Sequence, residues 1–106
     1  MSNKIASKRY STALFDSVKN EELDALLKDA QSLSETMSDS EELSSLLKSP
    51  LTKNELKSNI LLKIINGLPS EKILSGLVNT LKKNKRLNLL ENILSDIQDV
   101  LFEKRG

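Results

Sequence analysis

This chain predicts an all-α fold, a compact bundle of six helices, and three observations carry that prediction. Apolar residues recur at helical spacing from one end of the 106-residue chain to the other. Strand-favouring aromatics are scarce, with one Tyr, two Phe and no Trp. Breakers are also few, two prolines and three glycines, and Pro50, Gly67 and Pro69 fall between the periodic segments.

The first helix is predicted from Lys4 to Lys19, ending near Asn20. Its pattern assigns Ile5, Leu14, Phe15 and Val18 to one face, while Ala6, Tyr10, Ala13 and Ser17 form a second seam of small residues. The second helix, Glu21 to Met37, carries Leu23, Leu26, Leu27, Ala30, Leu33 and Met37 on one narrow face, with acids near its start where the helix dipole favours them. Ser38 or Asp39 is placed to cap a short third helix. Leu43, Leu46 and Leu47 face inward along it until Ser49-Pro50 stops the run.

Thr52 followed by Glu55 is a capping-box pattern for a fourth helix bearing Leu56, Ile60, Leu61, Ile64 and Ile65, closed by Asn66-Gly67. Ser70, directly after Pro69, is the expected N-cap of the fifth. That helix is apolar over a wide arc: Leu74, Val78 and Leu81 make one half, Ile73, Leu77 and Thr80 the other, and Gly76 leaves room for close approach. The last helix, Leu87 to Glu103, keeps Leu90, Ile93, Leu94, Ile97, Val100 and Leu101 on a single stripe. Short linkers throughout favour antiparallel neighbours.

Composition removes most chemistry. With no Cys and no His, the commonest metal ligands, the thiol nucleophile and the usual neutral-pH base are missing, so no metal, no cofactor and no enzyme is expected. The acid pairs Glu21-Glu22 and Glu41-Glu42 stand near helix starts in polar surroundings, where nothing raises a carboxyl pKa for catalysis. Isolated glycines exclude a phosphate-binding loop. Only a carboxylate or serine-lysine enzyme stays formally possible.

A net charge of +1 gives no global field for nucleic acid or membrane. The basic run Lys82, Lys83, Lys85, Arg86 fits a helix C-terminus, where cations are favoured. Met1 to Lys19 contains no continuous apolar stretch and carries Asp16, which argues against a signal peptide. No segment reaches membrane-spanning length, so a soluble product is expected, held at a membrane only through a partner.

What remains is surface. The first and fifth helices have more apolar circumference than one core can cover, and their spare seams can lie side by side as a shallow groove lined by Ala6, Tyr10, Ala13, Ile73, Leu77 and Thr80. Such a groove suits an amphipathic helix from a partner. Periodicity leaves a second reading open, in which both helices are central and buried on both sides.

The string Ile5-Ala6-Ser7-Lys8-Arg9-Tyr10-Ser11-Thr12-Ala13-Leu14-Phe15 resembles the opening signature of the delta subunit of bacterial F-type ATP synthase, whose mitochondrial counterpart is the oligomycin-sensitivity-conferring protein. Asn84-Lys85-Arg86-Leu87-Asn88-Leu89-Leu90 is similar to that family's Asn-Gly-Arg-Leu turn, and Leu47-Lys48-Ser49-Pro50-Leu51 to its mid-domain loop. Lys85 stands where the family pattern has glycine, a departure that weighs against a left-handed backbone there.

The resemblance implies a six-helix N-terminal domain on top of the catalytic head, with a groove between its first and fifth helices that receives the N-terminal helix of an alpha subunit. Carried over by position, the groove falls on Ala6, Tyr10, Ala13 and Ser17 with Ile73, Gly76, Leu77, Thr80 and Asn84. It further implies a non-catalytic stator role, resisting rotor torque, on the cytoplasmic face of the bacterial inner membrane. Family chains are longer and add a C-terminal domain that meets the peripheral-stalk b subunits, so residues 1–106 are expected to be a single N-terminal domain that binds the head without transmitting force. The alternative is an unrelated helical adaptor or nucleic-acid-associated bundle using the turn at Lys82 to Arg86.

Overall fold

The computed structural model describes the backbone of residues 2–105 and the side chains of residues 4–100. Six α-helices follow one another: α1 (Ser2–Ser17), α2 (Leu23–Asp39), α3 (Glu41–Lys48), α4 (Asn54–Ile65), α5 (Glu71–Lys83) and α6 (Leu90–Arg105). Among the described residues there is no strand. The order and number of helices are those the periodicity predicts.

The final helix is the hub. Its Leu90, Ile93, Leu94 and Ile97 are essentially inaccessible, and α1 and α2 pack most extensively against it. From α2 come Leu26, Ala30, Leu33 and Met37; from α5 come Leu74, Val78 and Leu81, backed by Leu61 and Ile65 of α4. Val100 is half-buried on the predicted α6 stripe, whereas the side chain of Leu101 lies outside the described residues. α3 is peripheral, packing on α2 with Leu43, Leu46 and Leu47 half-buried. The radius of gyration, 13.1 Å, is what a compact domain of this length has.

Several helix ends differ from the sequence expectation, each for a local reason. α1 stops at Ser17 because the chain enters a tight turn, in which the Glu22 N–H donates to the Lys19 carbonyl and the Glu22 carboxylate accepts from the Lys19 N–H, both at 2.9 Å. A single 3₁₀ turn, Asn20–Glu22, therefore precedes α2. α2 runs on to Asp39, so neither Ser38 nor Asp39 caps α3. Ser40 does, its Oγ accepting from the Leu43 N–H at 3.2 Å.

The Thr52–Glu55 capping box is not made. The Thr52 N–H is held by the Ser49 carbonyl in the turn around Pro50, and α4 begins one residue late, with Lys53 at its N-cap. Gly67 closes the α4 end at φ 89°, a conformation that costs glycine little. Ser70 occupies the N-cap of α5, but its hydroxyl makes no capping bond. Its backbone N–H instead donates to Oδ2 of the buried Asp29 on α2, at 2.7 Å, so one helix holds the start of another.

Two apolar assignments are corrected. Ile5 is 63% exposed: it precedes Leu14 by nine residues, about two and a half helical turns, and therefore points away from the core. The α1 face against α6 is instead built on Ser7 and Ser11, both buried, whose hydroxyls donate to Asp96 Oδ2 at 2.5 and 3.4 Å; Ser11 also donates to the Ser7 carbonyl. Leu56 is 49% exposed because the inward face of α4 runs through Ser58, Leu61 and Ile65, with the Ser58 hydroxyl satisfied by the Glu55 carbonyl at 2.9 Å.

The third correction concerns Lys85, which does adopt a left-handed backbone, φ 58°. The Arg86 N–H reaches the Leu81 carbonyl at 2.7 Å and the Lys85 N–H reaches that of Lys82 at 3.1 Å, the paired bonds of a Schellman ending. Those two bonds override the penalty of about 1 kcal/mol for a side chain in this region. A 3₁₀ turn, Leu87–Leu89, then leads into α6.

Candidate functional site

α1 and α5 do not pack closely backbone to backbone; among the described residues their facing sides flank an open groove of about 370 Å³. Tyr10, Ala13, Leu14 and Ser17 line it from α1, and Lys72, Ile73, Gly76, Leu77 and Thr80 from α5. At one end the Asn84 side-chain amide donates to the Tyr10 hydroxyl oxygen at 2.9 Å, tying the C-cap of α5 to the middle of α1. A second depression, lined by Ala6, Arg9, Tyr10, Ala13 and Arg86, adjoins the groove, sharing Tyr10 and Ala13 with it.

The sequence-selected residues thus sit together. Tyr10, Ala13, Ser17, Ile73, Gly76, Leu77 and Thr80 line the main groove, Ala6 lines its extension, and Asn84 stands at the junction between them. The inner half of α5, Leu74, Val78 and Leu81, is fully buried, while Gly76 and Thr80 are exposed. Residues not selected are Leu14, which faces both core and groove, Lys72, and the two arginines of the extension. Lys72 precedes Gly76 by four residues and so was legible from spacing.

Chemically the groove offers contact rather than reaction. Its hydroxyls are already engaged within their own helices: Ser17 donates to the Leu14 carbonyl and Thr80 to the Gly76 carbonyl, both at 2.8 Å. An apolar occupant therefore strands neither proton. The phenolic oxygen of Tyr10 acts as an acceptor toward Asn84, which leaves its proton to offer.

Gly76 has open space where a Cβ would stand, with nothing within 4 Å. The close approach anticipated at this glycine is thus not made by any described part of the chain. Gly76→Ala is expected to stabilise the domain by about 0.5–1 kcal/mol through helix propensity, seen as a raised thermal midpoint, while projecting a methyl group into the groove.

The other candidate groups have structural explanations. Glu22 closes the turn before α2, and Glu41 and Glu42 lie in the first turn of α3. Lys82 and Lys83 lie in the last turn of α5, and Lys85 and Arg86 form its Schellman ending. Among the described residues no group of three or more His, Cys, Asp or Glu is placed to hold a metal ion, and no helix is long and apolar enough to cross a membrane.

The described residues thus form an all-helical domain with a small-residue groove between its first and fifth helices. The chain belongs to the ATP synthase delta (OSCP) subunit family, whose model matches residues 6–106. It is 36% identical over 107 aligned positions to ATP synthase subunit delta of Chlorobaculum tepidum, and equally so to that of Chlorobaculum parvum, covering all of this chain and 59% of each relative. Subunit delta of Granulibacter bethesdensis is 30% identical over 94% of the chain and 46% of that relative. The chain thus spans about half the length of these relatives. No solved structure gives a significant match.

Proposed function

We propose that this chain is the head-binding module of an ATP synthase stator, and that the α1–α5 groove receives the N-terminal amphipathic helix of an alpha subunit. The observation that carries the reading is the groove itself, small and apolar at Ala13, Gly76 and Leu77, with its Ser17 and Thr80 hydroxyls internally satisfied. Helix-in-groove recognition is favoured by these properties: room for a second backbone, apolar walls and seam hydroxyls that an apolar occupant does not strand.

In this role the domain does no chemistry. Rotation of the central shaft exerts torque on the catalytic head, and a static linkage must oppose it while phosphoryl transfer proceeds elsewhere. Apolar burial along a helix gives the slow dissociation such a joint requires. We assign residues 1–106 to an N-terminal domain, with the contact to peripheral-stalk b subunits carried by further sequence, and place the assembly at the cytoplasmic face of the inner membrane.

Calorimetric titration with a synthetic peptide of the first twenty or so residues of an ATP synthase alpha subunit tests this. The expected result is saturable one-to-one binding that weakens only slightly as salt rises. A basic-turn adaptor acting through Lys82 to Arg86 gives the opposite pattern, no peptide binding and a salt-sensitive affinity for polyanions.

A further inference from the structure

Resting on the reading of the groove as a helix-docking site, we infer that its Tyr10–Asn84 end recognises a carboxylate side chain on the docked helix, gripped between Arg9 and Arg86, and that this contact fixes the helix's register. Both arginines line the same depression, which shares Tyr10 and Ala13 with the groove. Their convergence is built into the backbone. Tyr10, adjacent to Arg9, is bonded to Asn84, two residues before Arg86, and the Arg86 N–H is itself anchored on the Leu81 carbonyl at 2.7 Å.

The charge balance is one-sided. Lys72 is the third cation along the lining, and no described Asp or Glu lines either the groove or its extension. Guanidinium groups present planar forks that match a carboxylate, and the Tyr10 proton adds a neutral donor beside them. An apolar seam alone lets an amphipathic helix slide by a turn. A carboxylate held at one end removes that freedom.

The test is titration of the chain, and of its Arg9→Gln and Arg86→Gln variants, with the alpha-subunit peptide in which each Asp and Glu is replaced in turn by Asn or Gln. For one acidic position, the neutral replacement should weaken binding to the wild-type chain by about three- to tenfold. The same replacement should change nothing further in the arginine variants. Arginine substitutions that leave affinity unchanged, or lower it equally for every peptide, overturn the inference while the groove reading stands. Failure of the wild-type chain to bind the unmodified peptide overturns the groove reading itself.

Discussion

Ala13→Arg is expected to weaken binding of the alpha-subunit peptide by at least about a hundredfold, close to 3 kcal/mol, while the domain stays folded. Ala13 is exposed and lines the main groove, its extension and the depression on the outer side of α1. A long side chain there occupies the space that the partner's backbone needs, and its charge must be desolvated beneath an apolar helix. Because the added charge has the same sign as Arg9, Lys72 and Arg86, it does not repel an acidic partner, so the loss reports the blocked seam. Ala13 makes no part of the buried core, so circular dichroism and the thermal midpoint should change little.

The largest effect on stability outside the apolar core is expected at Asp29. Asp29→Ala should cost about 2–3 kcal/mol and lower the thermal midpoint by about 10–20 °C. This carboxylate, 6% exposed, accepts the Ser70 N–H at the start of α5. Removing it leaves that N–H unpaired where the Ser70 hydroxyl makes no cap, and also withdraws a negative charge from the positive end of the helix. Asp29→Asn keeps an acceptor of the same shape and should recover more than half of the loss. A fall in midpoint with Asn as large as with Ala would mean that the charge, and not the hydrogen bond, holds α5 in place.

Much of the architecture was legible because it depends on apolar spacing. Leu26, Ala30, Leu33 and Met37 on α2, and Leu90, Ile93, Leu94 and Ile97 on α6, follow one helical stripe each and are buried as that spacing requires. The groove was legible for the same reason turned around: α1 and α5 carry more apolar surface than a single contact can cover. What spacing could not show was polar structure formed across the chain. Asp29 capping Ser70 spans 41 positions, and the Ser7–Asp96 bond spans 89. No local pattern announces either.

The misplacement of Ile5 has a different origin. Ile5 and Leu14 are nine residues apart and so lie half a turn out of phase on α1, which puts them on opposite faces. The α6-facing side of α1 is serine-rich, so hydrophobicity alone did not mark it. Lys85 shows tertiary and capping geometry prevailing over residue preference: the turn that presents Asn84 to Tyr10 keeps its left-handed step without a glycine.

The most direct test of the groove as a docking site is residue-resolved: amide chemical-shift mapping of the isotope-labelled chain as the alpha-subunit peptide is added. The account predicts that the largest shifts cluster on Ala6, Tyr10, Ala13 and Ser17 of α1 and on Ile73, Gly76, Leu77 and Thr80 of α5. Shifts concentrated on α3 and α4, or confined to the turn at Lys82 to Arg86, with the groove amides unmoved, would contradict it.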